Sequence, residues 1–161
     1  MTYDCTEEIK KHRDRVHRIL QGIADEFASR GKIHDMSKIQ SPLEKISFDH
    51  WLPEIRKYEF GSENYKNALA QMGTGLTMHY DANRHHPEHF PDGIDGMSLI
   101  DLIEMLADWM AVCAEKNVPV DLISAKDRWK ISDQLMKILE NTLREQQIEI
   151  SKANDGMPDI P

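Results

Sequence analysis

Apolar residues recur every three or four positions along most of the chain, which is the periodicity of an amphipathic helix. Between residues 6 and 30, for example, Ile9, Val16, Leu20, Ile23 and Phe27 follow this spacing. No long segment alternates apolar and polar residues in the way that a half-buried β-strand does. Because a domain without a sheet must bury its apolar stripes helix against helix, the sequence predicts an all-α bundle of five to seven helices.

Length, charge and cysteine content narrow the class of protein. A chain of 161 residues is long enough for one domain and short for two, so we expect a single domain over residues 1–150 and a flexible tail over 151–161. The net charge of -8 argues against binding a nucleic-acid duplex. Two cysteines make no disulfide framework, no apolar run reaches the ~20 residues of a membrane span, and the N-terminus lacks a signal-peptide pattern. We therefore expect a cytoplasmic protein that does not associate with membranes.

A histidine and an aspartate stand side by side at His34 and Asp35. Gly31 is expected to end the first helix just before them, so that the pair falls in a turn. One imidazole and one carboxylate from adjacent positions can hold a single divalent cation. Alone the dipeptide is a weak signal, and it gains weight from a second histidine-rich block later in the chain.

That second block runs from Met78 to His89. A helix that begins after a Ser62 cap is expected to place His79 and Asn83, four residues apart, on one face. Pro87 removes the preceding residue from helical conformation, so His85 and His86 should lie in a loop at the end of that helix. Histidine clusters of this kind are typical of metal or catalytic sites; the alternative is a solvated, pH-sensitive loop.

The most apolar predicted helix, capped by Ser98 and running from Leu99 to about residue 116, carries a narrow stripe of three acids: Asp101, Glu104 and Asp108. Apolar residues fill most of its remaining circumference, and buried carboxylates need cationic partners. We therefore predict that Asp108 meets His34 and Asp35 at a metal, and that replacing Asp108 with alanine abolishes tight metal binding. The alternative is an ordinary amphipathic helix with solvated acids.

The first predicted helix contains two histidines, His12 and His17, which are five residues apart and so lie on different faces. We favour His12, which opens the pattern His-x-x-Arg-Val completed by Arg15 and Val16, and predict that it lies within a few ångströms of His34 and Asp35. A solvated histidine on a charged face is the alternative.

The order of these motifs resembles that of the HD-domain metal-dependent phosphohydrolases: His-x-x-Arg-Val on a first helix, His-Asp-x-x-Lys, a histidine block and a late helical aspartate, Asp108. The chain is more closely similar to a family of small phage and bacterial proteins that share an Asn-x-His-His-Pro-Glu-His block, here Asn83 to His89. The similarity runs from about residue 6 to residue 142. Only 22 positions separate His12 from His34, which is short for the superfamily, so a connecting helix should be missing or reduced.

The resemblance implies a helical HD-like domain with a divalent metal on His12, His34, Asp35 and Asp108. It also implies that His79 with His85 or His86 supplies the extra ligands of two-metal members. One or two ions are expected, and the sequence does not distinguish Mn, Fe, Mg, Co, Ni and Zn.

The predicted reaction is hydrolysis of a nucleotide or related small phosphoester. Lys38, one helical turn past Asp35, is placed to meet a phosphate, while Glu44 and His79 are candidates to position or deprotonate water. The remaining substrate contacts are assigned to Arg15, Asn83, Arg84 and Glu104.

Two further functions remain open at this stage. Histidine and carboxylate ligands around a pair of irons also serve oxygen chemistry, so a diiron oxygenase-type protein is one alternative. The other is a phage protein without catalytic activity that binds a host factor or a signalling nucleotide. The sequence leaves a homodimer open.

Overall fold

The computed structural model describes residues 3–59 and 61–154, with side chains described as far as residue 146. No β-strand occurs in these ranges, and the prediction of an all-α fold is confirmed. Seven helices have eight residues or more and a further one, α2, is a single turn. In chain order the helices are α1 (Thr6–Ile33), α2 (Ser37–Gln40), α3 (Pro42–Ile55), α4 (Glu63–Ala70), α5 (Thr74–Ala82), α6 (Leu99–Lys116), α7 (Leu122–Trp129) and α8 (Asp133–Asn154), with 3-10 turns at Pro87–His89 and Gly93–Gly96.

The chain divides into two compact units, the first ending at His89 and the second beginning at Phe90. A single HD-like domain over residues 1–150 stays a prediction. The flexible tail over residues 151–161 also stays a prediction: α8 is described as far as Asn154, and residues 155–161 lie outside the described residues. Within the described ranges, none of the helices combines the length and apolar character needed to cross a membrane.

The first helix is longer than predicted. Gly31 does not end it, because its backbone keeps helical conformation and α1 runs without interruption to Ile33. The reversal instead occurs at Asp35, which adopts a left-handed conformation with φ of 58°. Aspartate tolerates this region better than most residues because its short side chain bonds locally. The turn therefore carries the predicted ligand pair, as expected, although a different residue makes it.

The helix predicted to run from Ser62 through His79 is two helices. Ser62 caps α4 as predicted, its Oγ accepting a hydrogen bond from Tyr65 N at 3.2 Å. The chain then breaks at Gly73, whose φ of 52° suits glycine, and α5 restarts at Thr74. The break changes the direction of the chain, so the orientation of α5 and of His79 does not follow from that of α4.

Helix α5 packs closely on α3 through Gly75. A Cβ built at Gly75 would lie 2.3 Å from Ser47 Cβ and 2.1 Å from Ser47 Oγ, so even one methyl group would force the helices apart. Gly75→Ala is expected to lower the free energy of unfolding by about 1–3 kcal/mol through overpacking. The matched control is Gly22→Ala in α1, where nothing lies within 4 Å and the gain in helix propensity should stabilise slightly. Chemical denaturation of both variants checks this; equal midpoints would contradict the close approach.

The second unit has a conventional apolar core. Ser98 caps α6 as predicted, in a capping box in which its Oγ accepts from Asp101 N while Asp101 accepts from Ser98 N and Oγ. Two of the apolar residues around the circumference of α6, Leu99 and Ile103, are exposed, so the helix is not buried on every side. The core is formed by Ile94, Leu102, Met105, Leu106, Leu122, Ala125, Ile131, Met136, Leu139 and Leu143, and it includes residues of α7, a helix the sequence did not predict.

A candidate metal centre

The turn between α1 and α2 presents the Asp35 carboxylate and ties it to a lysine. Lys38 Nζ donates to Asp35 Oδ2 at 2.5 Å, three residues along the chain. His34 Nε2 lies 3.7 Å from the same oxygen. The other carboxylate oxygen, Asp35 Oδ1, is buried and accepts no hydrogen bond from the described residues. One oxygen is therefore held by a cation and the other points into the protein.

Three imidazoles surround the inward-facing oxygen. His79 Nε2 lies 3.4 Å and His85 Nε2 3.5 Å from Asp35 Oδ1, and His86 Nε2 lies 2.8 Å from His79 Nε2. One atom from each of these four side chains falls within 4.8 Å of all the others. This group, which we call the Asp35 cluster, could hold a metal ion.

Each member of the Asp35 cluster is delivered by a local feature of the chain. His79 comes from the last turn of α5. His85 and His86 follow it in the loop that ends in the 3-10 turn at Pro87–His89, where Pro87 prevents the helix from continuing. Phe48 and Tyr80 wall the cluster, with ring centroids 5.3 Å from His79 and 4.8 Å from His86 respectively. The rings of His34 and His85 are 4.2 Å apart, so His34 lies beside the cluster.

A buried chain of hydrogen bonds orients His79. Glu44, only 1% exposed, approaches His79 Nδ1 at 2.8 Å and accepts from Ser37 Oγ at 2.7 Å. Asn83 Nδ2 donates to Ser37 Oγ and to the His79 carbonyl, each at 2.7 Å. Asn83 Nδ2 also lies 3.0 Å from His79 Nδ1. When Nδ1 carries the proton, it donates to Glu44 and the Nε2 lone pair faces the Asp35 cluster. This is the tautomer that a metal ligand needs.

Burial and nearby charges favour the neutral forms of His79 and His86. Burial, together with the charges of His85 and His79, lowers the pKa of His86 to about 2. Burial and the charge of Lys38 also lower the pKa of His79, against the opposing effects of Asp35 and Glu44. For Asp35, burial acts to raise the pKa, but the charge and hydrogen bond of Lys38 and the nearby histidines outweigh it and lower the pKa. An anionic carboxylate with neutral imidazoles is the protonation state that binds a divalent cation.

The donor chemistry therefore fits a metal. Lys38 holds one oxygen of Asp35, while the other oxygen is buried, faces the Nε2 atoms of His79 and His85 and accepts no hydrogen bond from the described residues. Three imidazoles and one carboxylate suit Mn, Fe, Co, Ni or Zn better than Mg, which takes oxygen ligands.

The prediction that His12 lies within a few ångströms of His34 and Asp35 of the same chain is wrong. Helix α1 is uninterrupted from Thr6 to Ile33, so at about 1.5 Å per residue His12 lies about 30 Å from the helix end that carries the cluster. The same continuity removes Arg15 from the substrate contacts of its own chain. Both side chains are exposed.

The other predicted catalytic and substrate residues are placed as follows. Glu44 lies behind His79, on the side away from Asp35, where it positions the imidazole. Asn83 uses its amide to tie Ser37 to the end of α5. Arg84 is exposed next to His85 in the chain. Substrate contacts by Asn83 and Arg84 stay predictions.

The three acids of α6 belong to the second unit. Asp101 is fully buried, and its capping box with Ser98 accounts for that burial. Glu104 and Asp108 are partly buried. The roles assigned to Glu104 at the substrate and to Asp108 at the metal stay predictions, as does the loss of metal binding in Asp108→Ala.

Sequence reasoning missed Ser37 and a groove beside the cluster. The groove has a volume of about 350 Å³ and is lined by Lys38, Ile39, Lys45, Phe48, Asp49, Leu52, Pro53 and Arg56. Residues 45, 49 and 52 of α3 and Arg56, which follows its end, have helical spacing, and this was the available signal for a shared face. Ser37 gave no such signal, because its partners Glu44 and Asn83 meet it only in the folded chain.

Comparison with known proteins gives a family without an assigned activity. No curated protein and no solved structure matches the chain. Residues 1–145 match the model of a family described as "Family of unknown function (DUF5662)". Since this match spans both units and nearly the whole sequence, the chain belongs to the DUF5662 family.

Proposed function

We propose that the protein is a metal-dependent phosphohydrolase of the HD type that acts on a nucleotide or a related small phosphoester. The observation that carries this proposal is the Asp35 cluster, with Lys38 hydrogen-bonded to the same carboxylate. Phosphoester hydrolysis requires a polarised phosphoryl oxygen, an activated water and a cation that balances the developing charge. The resemblance in motif order to HD phosphohydrolases supports the same reaction.

Asp35, His79, His85 and His86 would hold the ion. When bound, it supplies Lewis-acid polarisation of the phosphoryl group and activates water near neutral pH. The chain's own contribution is orientation: Glu44 holds His79 in the correct tautomer, and the left-handed turn at Asp35 fixes the carboxylate.

The groove lined by Lys38, Lys45 and Arg56 is the substrate site in this proposal. Lys38 belongs to both places, since it bonds Asp35 and lines the groove. The lining holds three cations and one acid, Asp49, which pairs with Lys45 at 2.6 Å. A net positive groove in a chain with net charge -8 favours an anionic ligand there. Phe48 and Leu52 add apolar surface, which suits an organic group attached to the phosphate.

The test is metal analysis of the purified protein followed by turnover of a nucleotide and phosphoester panel. Lys38→Ala is expected to lower kcat/KM by about 100-fold, which corresponds to the loss of one charge-stabilising group. Lys45→Ala combined with Arg56→Ala should raise KM about tenfold and leave kcat nearly unchanged, because these cations bind the ground state and the transition state alike.

Lys66→Ala in α4, an exposed lysine outside the groove, is the matched control and should behave as wild type. A fully metal-loaded protein that turns over no member of the panel would overturn the hydrolase proposal.

An oxygen-activating iron protein, in its diiron form the alternative raised by the sequence, is the second candidate, because imidazole and carboxylate ligands also suit iron. Oxygen consumption by the iron-loaded protein, with no phosphate release from any metal form, would select it over the hydrolase.

A further inference from the structure

Helix α1 presents an uncovered apolar face along its whole length. None of its 28 residues is buried. Ile9, Ile19, Leu20 and Ile33 are 58–67% exposed, and Val16 and Ile23 are also exposed. At about 1.5 Å per residue the face is about 42 Å long. Large apolar patches of this size on a soluble chain mark an interaction surface.

The spacing of this face is that of a coiled coil. Positions 9, 12, 16, 19, 23, 26, 30 and 33 alternate in steps of three and four, which is the a and d pattern of a heptad. Five of these eight positions are Ile or Val. His12 occupies one of the others and so lies on the apolar face, whereas His17 does not.

Two of the four pairs of a and d positions match about Gln21, while Val16 pairs with Glu26 and His12 with Arg30. Ile19 and Ile23 lie two residues on either side of Gln21, and Ile9 and Ile33 lie twelve on either side. When two such helices run antiparallel about a two-fold axis at Gln21, each isoleucine meets an isoleucine. An isologous interface requires this self-complementarity, which a face made for an unrelated partner has no reason to show.

Charge follows the same symmetry. Arg15 lies six residues before Gln21 and Glu26 five residues after it. In the antiparallel pair Arg15 of each copy comes within one residue of the level of Glu26 of the other, and Glu26 also pairs with Arg30 of its own chain at 3.1 Å. The axis therefore brings these opposite charges near each other twice. In a parallel pair Arg15 would face Arg15 of the other copy, and Glu26 would face Glu26. Both contacts would be repulsive because the charges are alike.

We propose that the occupant of this face is α1 of a second copy of the chain, antiparallel about Gln21, and that the partner copy's His12 reaches the rim of the Asp35 cluster. In this register His12 faces Arg30 of the other copy, one helical turn before His34. His12 lies far from the cluster of its own chain because it is near the opposite end of α1. In the antiparallel pair, that end of α1 lies beside the C-terminal end of the partner's α1, where the partner's cluster begins. The His12 part rests on the metal centre proposed above; the dimer does not.

The interface is tested by analytical ultracentrifugation of the full chain. The wild-type protein should have a molecular mass twice that of one chain, which is 18.6 kDa. The double variant Ile19→Asp with Ile23→Asp should sediment as a monomer and should be folded by circular dichroism. Ile123→Asp in α7, 75% exposed and off this face, should stay dimeric. A wild-type monomer at 100 µM, or a dimer unaffected by the double substitution, would overturn the proposal.

The contribution of His12 is tested by mixing variants and titrating with Co²⁺, followed by its visible absorption. His12→Ala and Asp35→Ala proteins should each bind Co²⁺ weakly. After they are unfolded and refolded together, the mixed dimers should regain one wild-type site each, because one chain supplies Asp35 and the other His12. His17→Ala is the control and should bind as wild type.

The two proposals fail differently in this design. A dimer whose mixtures regain no binding would overturn the role of His12 in the partner's site. Wild-type protein that binds no Co²⁺ but sediments as a dimer would overturn the metal centre, and with it the His12 role, and leave the interface standing.

Discussion

Asp35→Asn is expected to weaken Co²⁺ or Zn²⁺ binding by more than about 100-fold while leaving the fold intact. Asp35 supplies the only carboxylate of the Asp35 cluster, and its Oδ1 faces both His79 and His85. Loss of residues that merely orient ligands costs 10–100-fold in affinity, so loss of a ligand's charge should exceed about 100-fold. Asparagine also tolerates the left-handed backbone at this position. Calorimetric titration of the metal-free protein measures the change.

The control for that experiment is Asp81→Asn, which alters an exposed aspartate on α5 two residues after His79. Its affinity should stay within about twofold of wild type. Asp35→Ala should lose binding as Asp35→Asn does and should also be less stable, because alanine adopts φ near 58° at a cost of about 1 kcal/mol or more. Full metal content in Asp35→Asn would show that the cluster is not a metal site.

Glu44 is the second position where a large effect is expected. Glu44→Ala removes the partner of His79 Nδ1 and of Ser37 Oγ. Each buried group left unpaired costs about 1–3 kcal/mol, so the free energy of unfolding should fall by about 2–6 kcal/mol. Glu44→Gln keeps the side-chain volume and can still accept a hydrogen bond, so it should lower the free energy of unfolding less than Glu44→Ala does. It should still lower metal affinity by about 10–100-fold.

Thermal unfolding and metal titration, performed on the same preparations, separate these two effects. Glu63→Ala and Glu63→Gln in α4, at a side chain that is 83% exposed, provide the matched pair. If Glu44→Gln binds metal as tightly as wild type, then the hydrogen bond to His79 does not tune the cluster.

The helical fold was predictable because its signals are local. Apolar periodicity and side-chain caps such as Ser62 and Ser98 act within a few residues. Glycines were harder to interpret, since the same residue type continues a helix at Gly31 and breaks one at Gly73. The difference lies in φ, which neighbouring residues and tertiary packing decide. Helix boundaries therefore needed the structure where helix existence did not.

The Asp35 cluster was partly predictable from residue type. Asp35, His79, His85 and His86 were all predicted as ligands, and the structure brings them together. His12 failed because a continuous first helix separates it from the cluster, and the helix predicted over residues 6–30 already implied a distance of more than about 25 Å. The positioning role of Glu44 was hidden for another reason: its partner His79 lies 35 residues away, and only the packing of α3 on α5 brings the two into contact.

The interior of the first unit is unusual in what it buries. Among its described residues the buried positions are Glu44, Ile55, Met72, Gly75, His79, His85 and Pro87, of which three are ionisable and only two are large apolar side chains. Such an interior gains little from the hydrophobic effect and depends on its polar groups finding partners. A cation bound there binds only the folded chain, so it stabilises the fold by mass action. Metal starvation in a cell would then appear first as proteolytic loss of the protein, before any pool of intact inactive molecules accumulates.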